Sequence, residues 1–268
     1  MTDTTAGQTA TGGHITGFGS KGYRTYVLIA LMLVYTLNFI DRTLISVVAQ
    51  PIINTFQLND TQWGLLSGPP FALFYAAMGI PIAMWADRAN RVLIIALCII
   101  VWSVMTALCG VASGFIWLLV FRVGVAVGEA GCTPPAQSLI ADYFVPKSRA
   151  TAVSIYALGV PLGGMFAAVF AGFIVGNLDG PSLAAMFSAW GWTWALNLMD
   201  WQSVEGWRVA FILVGIPGVI LAFVVKLTIK EPPRGYTDPK SAQQLAKASM
   251  TDVFKILSEK PTFWHIVA

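Results

Sequence analysis

Apolar residues run in six long blocks, near residues 26–48, 64–85, 93–112, 116–142, 150–175 and 209–229, separated by polar joints. A helix needs ~20 mostly apolar residues to cross ~30 Å of hydrocarbon, and every block reaches that length. The runs are continuous and do not alternate, which excludes the two-residue periodicity of membrane barrel strands. The pattern predicts an all-α integral membrane protein with a six-helix bundle over residues 23–230. Residues 1–22 are Thr/Gly-rich and lack the apolar core of a signal peptide, so they read as a mobile tail. Residues 231–260 read as a linker. Within it Val253, Phe254, Ile256 and Leu257 follow i, i+3, i+4 spacing and predict a short amphipathic helix. From Phe263 to Ala268 the chain turns apolar again, like the start of a seventh span. The sequence is therefore expected to be half of a longer protein.

Composition sharpens this picture. Hydrophobic residues make up 56% of the 268 residues, charged ones only 11%, and the mean hydropathy is +0.70. Soluble domains carry about 25% charged residues. The net charge of +3 does not signal nucleic acid. Lys21, Arg24, Arg88, Arg91, Lys147, Arg149 and the seven basic residues from Lys226 to Lys260 all fall on one side of the predicted topology, which makes thirteen of sixteen. The positive-inside rule then places both ends of this segment in the cytoplasm of a plasma or bacterial inner membrane. The opposite face carries Arg208 and a long connection, residues 176–208, holding Trp190, Trp192, Trp194, Trp201 and Trp207. Tryptophan favours the membrane interface, so this connection is expected to be a structured outer-surface element, either an anchor or a cover near a gate. Cys98, Cys109 and Cys132 lie in apolar blocks and read as packing residues. His14 and His265 are far apart, and no metal or cofactor is expected.

Chemistry concentrates in two blocks. Asn38, Asp41 and Arg42 interrupt the first, and Arg122 and Glu129 interrupt the fourth. An ionised side chain at mid-bilayer costs at least ~2.5–3.5 kcal/mol, so these groups need partners or a wet cavity. Arg122 and Glu129 are two turns apart and share a helix face. A structural ion pair is one reading; a polar site lining a path is the other. Gly124 and Gly128 allow close helix approach. In the fifth block Pro161 removes a helical donor, and Gly163 and Gly164 let neighbours slide, which makes that helix bendable. Between the second and third blocks stands Ala86-Asp87-Arg88-Ala89-Asn90-Arg91. Its carboxylate can cap a helix start and its arginines can pair across a gate.

That loop resembles the signature of the major facilitator superfamily, Gly-x-Leu-Ala-Asp-Arg-x-Gly-Arg. Asp87, Arg88 and Arg91 match; Ala83, Trp85 and Asn90 depart. Leu37–Arg42 followed by Gly128-Glu129-Ala130 is similar to the spinster-like group, and a comparable first-helix Asp-Arg occurs in organic-anion:cation symporters. The resemblance implies the N-terminal half of a twelve-helix fold built as an inverted 3+3 repeat, whose first and fourth helices line the central cavity. It implies a proton-coupled secondary transporter of amphipathic, lysolipid-like substrates rather than an enzyme; no nucleotide-binding loop is present. The alternatives are an organic-anion symporter and a non-transporting membrane sensor. The implied roles are proton coupling at Asp41 and Glu129, and substrate binding at Arg42, Arg122 and Asn38. Gating falls to Asp87, Arg88, Arg91, Arg149, Pro161, Gly163 and Gly164. The implied partners are a small amphipathic substrate, protons, membrane lipid and a C-terminal six-helix half.

Overall fold

The computed structural model of the chain describes residues 16–197, 200–238 and 258–260. The amphipathic helix expected near Val253–Leu257, the apolar stretch after Pro261, and both histidines lie outside them. The described residues form α1 (Lys21–Val47), α2 (Ala49–Phe56), α3 (Asp60–Ser67), α4 (Pro69–Ala86), α5 (Arg91–Gly110), α6 (Phe115–Ala130), α7 (Thr133–Tyr143), α8 (Pro146–Ala157), α9 (Gly159–Asn177), α10 (Gly180–Ala189), α11 (Thr193–Leu196) and α12 (Gly206–Thr228), with a 3-10 turn at Trp201–Ser203. Six spans long and apolar enough to cross a membrane result: α1, α3–α4, α5, α6–α7, α8–α9 and α12. In α12 the exposed side chains include Ile216, Ile220, Phe223 and Leu227, a helical stripe suited to hydrocarbon as solvent.

Three spans that the hydropathy reads as single helices are broken. The breaks lie at Gly68, at Gly131–Cys132 and at Leu158, just ahead of Pro69–Pro70, Pro134–Pro135 and Pro161. A proline ring clashes with the carbonyl four residues earlier and cannot donate to it. For Pro161 that carbonyl belongs to Ala157, the last residue of α8. Pro81 and Pro217 sit inside α4 and α12 without ending them, as membrane helices tolerate when neighbours support the backbone. The connection at residues 176–208 is itself helical, through α10 and α11. Asp179 accepts from Ser182 N (3.0 Å) as the N-cap of α10, and that bonding holds its carboxyl below the usual range.

The loop carrying Asp87 requires a correction. Asp87 does not cap a helix start: it is the C-cap of α4, and its side chain is exposed. Asn90 caps α5, accepting from Leu93 N at 2.7 Å. Position explains the exchange, because only the residue directly before Arg91 can reach the free amides of the first turn.

Packing follows small residues. α5 lies along α12 and α6, and α1 lies along α9. A Cβ at Gly163 would sit 2.5 Å from Phe39 Cβ and 2.7 Å from the Thr36 carbonyl oxygen, so α1 and α9 touch backbone to backbone there. Gly164 faces open space. We expect Gly163→Ala to destabilise the bundle by about 1–3 kcal/mol through overpacking, while Gly164→Ala stays within about 0.5 kcal/mol. Thermal unfolding of the two variants checks the contrast.

Candidate functional site

Asp41 and Arg42 are neighbours on α1, so their side chains leave the helix about 100° apart. Each reaches a different partner on α6. Arg42 Nε donates to Glu129 Oε2 at 2.6 Å, and Arg122 Nη1 donates to Asp41 Oδ1 at 3.4 Å. The two turns between Arg122 and Glu129 keep that pair apart from one another and let α1 lie across both. α6 meets α5 closely enough that a Cβ at Gly128 would fall 2.6 Å from Trp102 N. That approach brings Thr106 of α5 within reach, and its hydroxyl donates to Asp41 Oδ2. Thr106 carried no sequence signal, being one hydroxyl in an apolar block.

The cluster is largely closed, its charges meeting partners rather than a wet cavity. Asp41 is 1% exposed and Glu129 0%; only Arg42 opens, with 26% of its side chain accessible. Aromatic rings of α4 form the lid. The Arg42 guanidinium lies 4.3 Å from the Tyr75 ring centroid and 5.5 Å from that of Phe71, and the Arg122 guanidinium lies 5.0 Å from that of Phe71. Cation–π contacts of this kind hold a guanidinium without neutralising it. Asn38 Oδ1, Arg122 Nε and Glu129 Oε1 are buried with no hydrogen-bond partner among the described residues. A buried polar atom left unpaired costs about 1–3 kcal/mol, so this cluster retains unused bonding capacity. Beside it Tyr35 of α1 stacks on Tyr156 of α8 at 4.5 Å.

The residues read as gating do not form one unit. Arg91 is buried, 1% exposed, and ties three segments together. It donates to Asp142 Oδ2 (2.5 Å) and Ser138 Oγ (2.7 Å) of α7, and to Glu231 Oε1 (2.6 Å) and the Pro232 carbonyl (3.0 Å) after α12. Arg149 donates to Asp238 Oδ1 (2.6 Å), Thr237 Oγ1 (2.7 Å) and the Ala141 carbonyl (2.9 Å). Residues 230–238 thus form a strap across the ends of α4, α5 and α7, closed by Arg234 Nη2 donating to the Ala89 carbonyl (2.7 Å). Asp87 and Arg88 are exposed and stand outside this network. Asp142, Glu231 and Asp238 went unremarked in the sequence, since each lies tens of residues from its partner and carries no periodic mark. At the opposite end Arg208 Nη1 donates to the Gly110 (3.2 Å) and Ala112 (2.7 Å) carbonyls, satisfying the last turn of α5.

A family model described as Major Facilitator Superfamily matches residues 31–268. The chain belongs to the major facilitator superfamily. Among characterised superfamily relatives it is similar to an MFS-type efflux pump of Mycolicibacterium smegmatis, 37% identical over 74% of this chain and 40% of that protein. It is also similar to spinster homolog 1 of Xenopus laevis, 30% identical over 90% of this chain and 41% of that protein. Among solved structures it resembles a bacterial homologue of the human lysosomal transporter spinster in an inward-facing, unoccupied conformation. That match has 61% identity and a TM-score of 0.84, and covers 92% of this chain and 51% of the other. The chain thus spans about two fifths of the curated relatives and half of the solved superfamily member. The spinster-like resemblance of the first and fourth spans agrees with these matches, and superfamily members of this kind are transporters rather than enzymes.

Proposed function

We propose that this chain is the N-terminal half of a proton-coupled, spinster-like secondary transporter that carries amphipathic anionic or zwitterionic lipids by alternating access, with the basic face toward the cytoplasm. The crossed pairing of Arg42 with Glu129 and of Arg122 with Asp41 carries the reading. Each guanidinium can hold a carboxylate of the chain or an anionic head group, and it is suited to bidentate phosphate. A proton on Asp41 or Glu129 releases the facing arginine for substrate; departure of the substrate returns the arginine and expels the proton. Asp41 is the first choice for the coupling group, because its contact with Arg122 is the longer of the two and Thr106 supplies a second partner. Asn38, whose buried Oδ1 has no hydrogen-bond partner among the described residues, would accept from a head group. The exposed apolar faces of α4 and α9 suit an acyl chain and a second six-helix half.

The test is flux in proteoliposomes holding the full-length protein, with lysolipids and short dicarboxylates offered with and without a proton gradient. Lysolipid flux should rise with the gradient, and Asp41→Asn should lower gradient-driven flux at least about tenfold. Full gradient dependence in Asp41→Asn removes Asp41 from the role. Competition by dicarboxylates but not lysolipids supports the organic-anion alternative, and ligand binding without flux supports a sensor.

A further inference from the structure

On α1, Lys21, Arg24 and Thr25 fall at i, i+3, i+4 and so share one face. The opposite face is committed: Tyr23 Oη donates to the Thr228 carbonyl (2.8 Å), and Tyr26 Oη bonds Thr228 Oγ1 (2.6 Å), fastening α1 to the end of α12. This leaves the Lys21/Arg24 face turned to the α7–α8 junction. There Thr16, Lys21, Arg24, Thr25, Phe144 and Ser148 help to line a cleft of about 380 Å³. Arg42, Arg91, Arg122, Arg149 and Arg208 each have a carboxylate. Among the described residues neither Lys21 nor Arg24 is paired with one or held by a side-chain hydrogen bond. Two unneutralised cations therefore look into one cleft at the level where the spans end.

We propose that this cleft binds the phosphate of an anionic phospholipid from the adjoining leaflet. Lys21 and Arg24 would supply the positive charge, and the Thr16 hydroxyl, free of any hydrogen bond among the described residues, a further donor. Thr25 and Ser148 already donate to the Lys21 (3.1 Å) and Val145 (3.2 Å) carbonyls, so they accept rather than donate at the rim. A lipid is favoured over free phosphate by what lies beyond the cleft. Ile29 and Leu33 continue the line of Thr25 along α1 at i+4 and i+8, and both are exposed, 44% and 46%. They give an apolar track for an acyl chain beginning at the phosphate position. A choline ammonium would bring a third cation beside Lys21 and Arg24, so the positive cleft favours a head group of net negative charge. Bound there, the lipid would bridge the start of α1 to the α7–α8 junction, a contact separate from the central cluster.

The experiment is native mass spectrometry of the full-length protein released from nanodiscs of phosphatidylglycerol or phosphatidylcholine. One tightly held phosphatidylglycerol is expected, with no retained phosphatidylcholine. Lys21→Gln/Arg24→Gln should weaken retention about thirty-fold, the effect of removing two basic contacts at an anionic surface. Lys21→Arg/Arg24→Lys, which keeps both charges, should retain the lipid. Lys226→Gln, which removes a charge elsewhere on the same face, should do so too. Equal loss in Lys226→Gln, unchanged retention in the double glutamine variant, or displacement by millimolar inorganic phosphate would each overturn the proposal.

Discussion

Replacing Arg122 by alanine will destabilise the bundle by about 3–5 kcal/mol, the cost of leaving a buried charge without its partner. Among the described residues, Asp41 would then keep the Thr106 hydroxyl as its side-chain hydrogen-bond partner, with no guanidinium bonded to it. Adding Asp41→Asn to the same chain removes the stranded charge and should recover more than half of that loss. Thermal unfolding of the full-length protein, followed by tryptophan fluorescence, gives both numbers and their coupling. Arg42→Ala and Glu129→Gln form a second cycle, and the two cycles should show separate couplings because each arginine serves a different carboxylate. A double variant no more stable than Arg122→Ala alone would show that the crossed pair is not a unit.

Arg91→Ala should have an effect of comparable size by another route. It strands Asp142 inside the bundle and frees Glu231, so about 3–5 kcal/mol is expected. The strap at residues 230–238 loses its central anchor. Tyr236 N donates to Asp142 Oδ1 (3.2 Å) and Val92 N to Glu231 Oε2 (3.1 Å). Both amides should therefore exchange with deuterium much faster in the variant. Arg91→Lys should recover less than half of the lost stability, because one ammonium cannot serve two carboxylates, a hydroxyl and a carbonyl in a fixed fork. Unchanged exchange at Tyr236 would mean that the strap is held without Arg91.

What the sequence makes legible here is set by range. Long apolar blocks report six spans because bilayer thickness acts on each segment alone. The spacing of Arg122 and Glu129 reports a shared face for the same reason. The choice of partner does not follow from spacing: α1 crosses α6 so that adjacent residues meet residues seven apart, and only tertiary placement decides which carboxylate meets which arginine. Arg91 illustrates the limit further. It stands in a recognisable motif, yet its function as a buried tie depends on Asp142 and Glu231, 51 and about 140 residues away. The helix breaks were half visible. The prolines were plain, but Pro81 and Pro217 show that a proline alone does not end a membrane helix, and the three breaks occur where two prolines or adjoining glycines combine.

Those breaks divide the bundle mechanically. α1, α5 and α12 run uninterrupted, whereas each of the other three spans is two rods meeting at a joint. Compliance can therefore concentrate at these three joints, and the unbroken trio can act as a chassis against which the half-length rods tilt. Because Glu129 stands two residues before the joint at Gly131, a tilt of the α7 rod need not move that carboxylate, and the charge centre can stay in register while the ends of the bundle change shape.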